Sequence, residues 1–128
     1  MLWEEVEEIN EKYCLICGKP FSEEHHIIKR SQATFLINCK LNKVYLCGIH
    51  HRSEIGVHGR EGHALDLKLK SDFEEKLNLL FDRNYFTREE IKKTLGISDR
   101  AVYSLCKLLE SHKGLCNREN IIRACLGR

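Results

Sequence analysis

The fold of this chain is decided by three short segments within residues 14–58: Cys14-Leu15-Ile16-Cys17, His25-His26-Ile27 and Cys47-Gly48-Ile49-His50-His51. The same stretch closes with Gly56-Val57-His58-Gly59. Cysteine and histidine are the side chains that bind zinc and other transition metals. They are denser here than a hydrophobic core requires. The stretch therefore predicts two metal sites, a structural zinc site and a site for a catalytic divalent ion.

The structural zinc site is predicted from two pairs of ligands. Cys14 and Cys17 form a Cys-x-x-Cys pair, and Cys47 and His50 form a Cys-x-x-His pair. A two-residue gap lets one tight turn present two ligands to the same ion, and four such ligands suit tetrahedral zinc. The alternative is two unrelated sets of buried thiols. Because both pairs keep the same gap, the pattern favours zinc.

The second site is predicted from the remaining histidines. His25 and His26 are adjacent, so on a strand they face opposite ways. One of them can hold a metal while the other takes a proton from water, which imidazole does near neutral pH. A histidine pair alone would indicate only a polar surface. Here His51 and His58 follow within the same stretch, which favours catalysis.

Composition and charge set the class of protein. The chain has 128 residues, of which 42% are hydrophobic, as in an ordinary globular protein. Nine Lys or Arg against five Asp or Glu give residues 14–70 a net charge of +4, and residues 88–128 have the same balance. Residues 71–87 between them carry −2. Two mildly basic blocks permit nucleic-acid binding without requiring it.

The compartment is predicted from the cysteines and the N-terminus. Seven cysteines are an odd number, which does not suit a secreted disulfide framework. The first residues are acidic, and no run approaches the ~18 apolar residues that a membrane span needs. We therefore expect a cytoplasmic protein with no membrane partner. The sequence does not indicate an oligomeric state.

Periodicity predicts the secondary structure around the metal sites. We expect a helix over residues 2–12, strands over residues 25–30 and 43–47, and a helix beginning near Gly48. Leu65, Leu67 and Leu69 alternate with charged residues, which suits a strand or the entry to a helix. An amphipathic helix is expected over about residues 71–82.

The C-terminal part has the signals of a helix-turn-helix. Thr87 and Glu90 form a capping box, Gly96 suits a left-handed helix end, and Ser98 suits the cap of a second helix. Asn117 can cap a last helix. We expect a domain boundary near Arg83, with one domain over residues 1–83 and a helical domain over residues 84–128.

In residues 13–70 the chain resembles the HNH nucleases of the His-Me finger, or ββα-metal, group. The resemblance is carried by His25-His26-Ile27, by Asn42 and by Cys47-x-x-His50-His51. It implies that His26 is the general base, that His25 and His51 bind the catalytic ion, and that Asn42 fixes the loop that positions the base. It also implies that Arg30 contacts the scissile phosphate, although a solvated surface arginine is an equal alternative.

The chain departs from the family pattern at two positions. Relatives often have cysteine where His50 stands, and they often have a metal-binding histidine at the position of Ile55. We expect His58 to replace that histidine as a ligand. The Gly-Val-His-Gly run and the Leu65–Leu69 segment also resemble a subset of phage-encoded HNH proteins, so other phage proteins are candidate partners.

The C-terminal helices resemble small DNA-binding domains of phage and bacterial regulators. We expect base and phosphate contacts from the second helix, and phosphate contacts from the first helix and from Arg118. The candidate DNA-binding residues of the two helices are Arg100, Tyr103, Lys107, Lys92 and Lys93. The alternative is a helical extension that packs on the nuclease core, or a module that docks a protein.

These observations predict an α+β fold, with a ββα-metal core on a zinc knuckle followed by a small helix-turn-helix-like domain. The predicted function is a metal-dependent endonuclease that hydrolyses DNA, with structural zinc and a catalytic magnesium, manganese or nickel ion. The rival is a non-catalytic zinc-ribbon and helix-turn-helix regulator, which would need the zinc ligands but not His26. A phage packaging accessory is a third class.

Overall fold

The described part of the chain forms a mixed α+β fold with two small sheets. The structure is a computed structural model, and it describes residues 12–128. The α+β class agrees with the prediction, while the predicted helix over residues 2–12 lies outside the described residues except for Lys12. Two compact units share the chain: the described part of Met1–Ile27 with Lys43–Leu69, and Ile28–Asn42 with Lys70–Arg128.

The first unit contains a two-stranded antiparallel sheet followed by a short helix. Strand β1 spans Glu23–His26, strand β2 spans Lys43–Leu46, and helix α1 spans Gly48–Arg52. In the sheet His25 lies opposite Val44, and His26 lies opposite Lys43. The second strand and the helix at Gly48 were therefore predicted correctly.

The first strand was predicted in the wrong place. It begins at Glu23 and ends at His26, whereas residues 25–30 were expected. Ile27 and Ile28 are both buried, at 4% and 1% exposure. Consecutive residues of a strand face opposite sides of a sheet, so two adjacent buried residues suit a chain that turns inward. The alternation of residues 25–30 in sequence was therefore misleading beyond His26.

Helix α2 spans His63–Leu80, and the division between the units falls inside it. It begins eight residues before the predicted start at residue 71. The alternating Leu65, Leu67 and Leu69 belong to this helix. Of these three leucines, only Leu69 is buried. Within residues 12–128, no helix combines the length and the apolarity that crossing a membrane requires.

The second unit continues with three helices that the sequence predicted by their caps, and with three short strands that it did not. The elements are β3 at Tyr85–Thr87, α3 at Arg88–Leu95, α4 at Asp99–Lys107, β4 at Ser111–His112, β5 at Leu115–Asn117 and α5 at Arg118–Cys125. The strands pair antiparallel in the order β3-β5-β4. They have only two or three residues each, too few for a periodicity to be visible in the sequence.

The predicted helix boundaries in this unit are confirmed by hydrogen bonds. Thr87 Oγ1 accepts a hydrogen bond from the Glu90 backbone, while the Glu90 carboxylate accepts one from the Thr87 backbone. Gly96 ends α3 with φ of 64°, Ser98 caps α4, and Asn117 caps α5. A short turn joins the two helices α3 and α4, and the likeness of this pair to a DNA-binding helix-turn-helix stays a prediction.

The core of the second unit includes part of the chain between β1 and β2. A 3₁₀ turn over Thr34–Leu36 packs on α4, and the Cys39 thiol donates a hydrogen bond of 3.2 Å to the Leu95 carbonyl. Cys39 and Leu36 are completely buried. Residues 28–42 thus share their core with the C-terminal helices. The two compact units divide after Ile27, Asn42 and Leu69, whereas a single boundary near Arg83 was expected. Independent folding of residues 1–83 stays a prediction.

Asn42 closes the loop between the two strands of the first sheet. Its side chain is fully buried. Its Oδ1 accepts a hydrogen bond of 2.8 Å from the Ile28 backbone N–H, and its Nδ2 donates one of 3.1 Å to the Ile28 carbonyl. Ile28 lies two residues after the end of β1, so this pair of hydrogen bonds fixes the path of the chain as it leaves the strand.

We predict that Asn42→Ala lowers the free energy of unfolding by about 2–5 kcal/mol, because it leaves both backbone groups of Ile28 buried without partners. Urea denaturation followed by circular dichroism measures the change. Asn38→Ala is the matched control, since Asn38 lies in the same loop but is exposed. Equal stability of the two variants would contradict a structural role for Asn42.

Candidate metal centres

Two turns bring together the four predicted zinc ligands. Cys14 and Cys17 lie in a tight turn in which the Gly18 backbone N–H donates to the Cys14 carbonyl, and Gly18 has φ of 75°. Cys47 immediately precedes α1, and His50 lies within that helix. The side chains of Cys14, Cys17, Cys47 and His50 place one ligand atom each within 4.8 Å of all the others.

The spacing of these four atoms fits a tetrahedral zinc ion. Zn–S bonds of about 2.3 Å and Zn–N bonds of about 2.05 Å at tetrahedral angles place two sulfurs about 3.8 Å apart, and a sulfur and a nitrogen about 3.6 Å apart. The two thiols Cys17 and Cys47 are 3.6 Å apart. His50 Nδ1 is 3.7 Å from Cys14 Sγ and 3.3 Å from Cys47 Sγ. The cluster could therefore hold a metal such as zinc.

The electrostatics favour thiolates, which are the metal-binding form of cysteine, at Cys14 and Cys47. At Cys17 the Lys19 backbone lowers the pKa, but burial and the neighbouring Cys47 and Cys14 outweigh it and raise this pKa. Burial raises the pKa of Cys14, but backbone N–H donors, chiefly that of Cys17, outweigh it and lower this pKa to about 6. The His50 backbone lowers the pKa of Cys47. A hydrogen bond to Cys47 raises the pKa of His50. These donors would stabilise negative charge on sulfur with or without a metal.

A second cluster consists of three imidazoles from three different elements. His25 lies on β1, His51 on α1, and His58 in the loop after α1. The ring centroids are 5.2 Å apart for His25 and His51, 4.9 Å for His25 and His58, and 4.6 Å for His51 and His58. Each ring offers a nitrogen within 4.8 Å of the other two, so the three could hold one metal ion.

The glycine-rich loop brings His58 to this cluster. The backbone N–H of His58 donates 3.0 Å to the His51 carbonyl, and that of Val57 donates 2.8 Å to the His50 carbonyl. A Cβ on Gly59 would lie 2.0 Å from the Ser53 carbonyl oxygen, and one on Gly62 would lie 1.7 Å from that of Gly56. Only glycine permits such close backbone approach, so the Gly-Val-His-Gly run is required for the position of His58.

His25 has the properties of a metal ligand rather than of a core histidine. It is only 5% exposed, and its Nε2 is buried with no hydrogen-bond partner among the described residues. Buried polar atoms nearly always have partners, so such an atom calls for an explanation such as a bound ion. Burial first, and then the neighbouring His58 and His51, lower its pKa to about 4. The ring is therefore neutral at pH 7 and keeps a lone pair for a metal.

Two carboxylates that the sequence analysis did not single out lie near the three imidazoles. Glu23 Oε1 is 2.8 Å from His51 Nδ1 and 3.0 Å from Arg52 Nε. Asp66, in the first turn of α2, is near enough to His25 to raise its pKa, against the larger effect of burial. Glu23 could have been found from its spacing, because residues i and i+2 of a strand share a face and His25 follows it at that distance.

Three further residues predicted for the nuclease site do not belong to this cluster. His26 is half-buried at the end of β1, and its nitrogens are not among those within 4.8 Å of each other. Asn42 is occupied by its two bonds to the Ile28 backbone. Arg30 is exposed beyond Ile28. The roles of base, positioning residue and phosphate contact stay predictions for these three residues.

The predicted DNA-binding residues are mostly exposed on the helix-turn-helix. Arg100, Tyr103 and Lys107 are exposed on α4, and the Lys107 ammonium lies 4.7 Å from the centre of the Tyr103 ring. Lys93 is exposed on α3. Lys92 is half-buried and forms an ion pair of 2.8 Å with Asp99, which links α3 to the start of α4.

Arg118 is half-buried, and its guanidinium contacts the end of α2. Its guanidinium donates to the Phe81 carbonyl, and at 3.0 Å to the Asn78 carbonyl and 2.8 Å to Asn78 Oδ1. These bonds satisfy carbonyl groups near the end of α2, which have no partner within their own helix. These bonds hold the Arg118 guanidinium at the end of α2, and its contact with phosphates stays a prediction.

Comparisons with protein-family models, with curated proteins and with solved structures find no match to this chain. The chemistry of the two clusters is therefore inferred from their own residues and distances.

We predict that the purified protein contains zinc and that Cys17→Ser loses one zinc per chain, because a tetrahedral site with three ligands binds far more weakly. Elemental analysis measures the loss, and circular dichroism should report unfolding around residues 13–50. Cys106→Ser is the matched control, since Cys106 lies in α4. A folded Cys17→Ser protein with the zinc content of the wild type would contradict the assignment.

Acid should release the same zinc, because the metal competes with protons for the thiolates. Without metal the Cys14 thiol has a pKa of about 6, so protonation and release should increase as the pH falls toward and below that value. A chromogenic zinc chelator follows the release in a pH titration. Zinc that stays bound equally at pH 7 and pH 4 would contradict a thiolate-rich site.

Proposed function

We propose that the chain is a metal-dependent endonuclease of the HNH type, which hydrolyses phosphodiester bonds in DNA. The observation that carries the proposal is the cluster of His25, His51 and His58 on a strand–strand–helix unit, with the buried Nε2 of His25 unpaired among the described residues. A purely structural protein has no need for three imidazoles clustered at one point. The proposed core is the ββα-metal unit formed by β1, β2 and α1.

Three protein ligands suit a catalytic site because they leave coordination positions for substrate. A closed structural site uses four ligands, as the Cys14, Cys17, Cys47 and His50 cluster offers, and this cluster is proposed to hold structural zinc. When bound at the three imidazoles, a divalent ion stabilises charge on the phosphate and on the leaving 3′-oxygen. Three nitrogen ligands favour manganese or nickel over magnesium, which prefers oxygen.

His26 is proposed as the general base. As the residue after His25 on β1, its side chain projects to the other side of the strand, so it need not bind the ion itself. It takes a proton from water, the water oxygen bonds to phosphorus, and the bond from phosphorus to the 3′-oxygen breaks. The pair of hydrogen bonds between Asn42 and Ile28 supports this role, since it fixes the backbone two residues beyond His26.

The remaining proposed contacts are to the DNA backbone and bases. Arg30 is exposed four residues after His26 and can donate to a phosphate oxygen. On α4, Arg100, Tyr103 and Lys107 form an exposed cationic and aromatic surface, and Lys93 adds charge from α3. Lys92 can contribute only in competition with its ion pair to Asp99. Other phage proteins are proposed as further partners.

The alternative function is a zinc-containing helix-turn-helix regulator without catalysis. The exposed cationic surface of α4 favours it as much as it favours the nuclease. The three-imidazole cluster does not, because a regulator would gain nothing from burying His25 with Nε2 unpaired among residues 12–128. Cleavage activity distinguishes the two functions.

We predict that the protein converts supercoiled plasmid to nicked or linear DNA with manganese or nickel, and more slowly with magnesium. His26→Ala should lower the rate by about 10²–10⁴-fold, because it removes the general base, while leaving the affinity for the divalent ion nearly unchanged. His25→Ala should weaken ion binding and lose activity with it, partly recoverable at high metal concentration.

The control for these variants is His112→Ala, which removes an exposed histidine of β4. It should cleave at the wild-type rate. Calorimetric titration of manganese separates the two roles. If His26→Ala loses the ion and His25→Ala keeps it, the roles are reversed, and if no ion supports cleavage by the wild type, the proposed function is wrong.

We predict that Arg100→Ala and Lys107→Ala weaken DNA binding and reduce its salt dependence. Each lost phosphate contact lowers the slope of log affinity against log salt concentration by about 0.9. Fluorescence anisotropy with a labelled duplex in calcium, at several salt concentrations, measures both quantities. Lys76→Ala, an exposed lysine of α2, is the control and should change neither. Wild-type slopes in both α4 variants would contradict a DNA-binding role for this helix.

A further inference from the structure

Glu23 connects the first strand to the histidine of the following helix. Its Oε1 lies 2.8 Å from Nδ1 of His51 and 3.0 Å from Nε of Arg52. The His51 side chain is 14% exposed, while that of Arg52 is 69% exposed. The Glu23 side chain is 38% exposed, so its bond to His51 is partly buried, while its bond to Arg52 is exposed.

This contact determines which nitrogen of His51 carries the proton. A glutamate side chain is ordinarily ionised at neutral pH, and here its Oε1 lies beside both the His51 ring and the Arg52 guanidinium. An ionised carboxylate can only accept hydrogen bonds. Nδ1 of His51 must therefore donate, and in the neutral ring the lone pair lies on Nε2. With Nδ1 bonded to Glu23, Nε2 is the nitrogen that remains to bind an ion with His25 and His58.

We propose that Glu23 is a positioning residue for the divalent ion of the three-imidazole site, acting through His51. This inference rests on the proposed function. A carboxylate on the far nitrogen of a metal-bound histidine fixes the tautomer and the ring orientation, and it makes the ligand more basic. Such partners typically change metal affinity by about 10–100-fold. Glu23 does not touch the ion or the DNA.

A simpler role for Glu23 is to hold β1 and α1 together. The pair with Arg52 would serve that purpose, but exposed ion pairs contribute little to stability. The two roles predict different effects for Arg52→Gln. If Glu23 only links the two elements, loss of Arg52 should resemble loss of Glu23. If Glu23 acts on the His51 tautomer, loss of Arg52 should leave the ion affinity nearly unchanged.

The experiment is calorimetric titration of manganese into the zinc-loaded full chain. Glu23→Ala should weaken manganese binding by about 10–100-fold, and Glu23→Gln, which keeps an acceptor oxygen but no charge, should weaken it less. Arg52→Gln should stay within about twofold of the wild type, because exposed ion pairs contribute little. Glu24→Gln is the matched control, since Glu24 is the next residue of β1 and pairs instead with Lys43 at 2.9 Å.

A second readout follows the tautomer directly, without any divalent ion at the site. Long-range proton–nitrogen NMR spectra of the imidazole rings should show His51 protonated at Nδ1 in the wild type and in Arg52→Gln. The Nδ1-protonated form should lose population in Glu23→Ala, since no carboxylate then selects it. Zinc content and the circular dichroism spectrum should be those of the wild type in every variant.

The outcomes separate this inference from the proposed function. If the wild type binds no manganese, or His25→Ala binds it as well as the wild type, both fail. If His25→Ala loses manganese while Glu23→Ala keeps it within twofold, only the role of Glu23 is overturned. An Arg52→Gln protein as weak as Glu23→Ala, or an unchanged His51 tautomer in Glu23→Ala, would also overturn it.

Discussion

His50 and His51 are neighbours on α1, and the arrangement of the first unit depends on this pair. Successive residues of a helix point about 100° apart. His50 joins Cys14, Cys17 and Cys47, whereas His51 joins the other two imidazoles. A metal ion in the first cluster would fix α1 to the Cys-x-x-Cys turn, and the direction of His51 would follow from that. The structural site therefore sets the geometry of the proposed catalytic site.

Signals within a few residues were sufficient for much of this structure. The two-residue gaps identified the two pairs of predicted zinc ligands, and the caps at Thr87, Ser98 and Asn117 placed three helix starts correctly. Each of these features involves residues close in sequence, whose geometry is fixed by one turn. The clustering of His58 with His25 also follows a local cause, because the glycines after α1 fold the loop back onto that helix.

Features that depend on distant contacts could not be obtained from the sequence. Strand β1 was expected too late because the burial of Ile27 and Ile28 reflects packing and not strand alternation. Arg118 was taken as a surface charge because its acceptors lie 37 and 40 residues earlier in the chain. The contact of Glu23 with His51 was missed for the same reason, since the two residues are 28 apart, although strand spacing alone places Glu23 on the face of His25. Catalysis, DNA binding and the family resemblance remain predictions.

The central claim is that one chain holds two different metal ions in two adjacent clusters. The most direct measurement is anomalous X-ray diffraction from crystals of the zinc-containing protein soaked in manganese, with data collected at the absorption edges of both metals. We predict a zinc peak among Cys14, Cys17, Cys47 and His50, and a separate manganese peak bonded to the three imidazoles of His25, His51 and His58. Zinc absent from the first cluster, or no metal among the three imidazoles, would contradict the account.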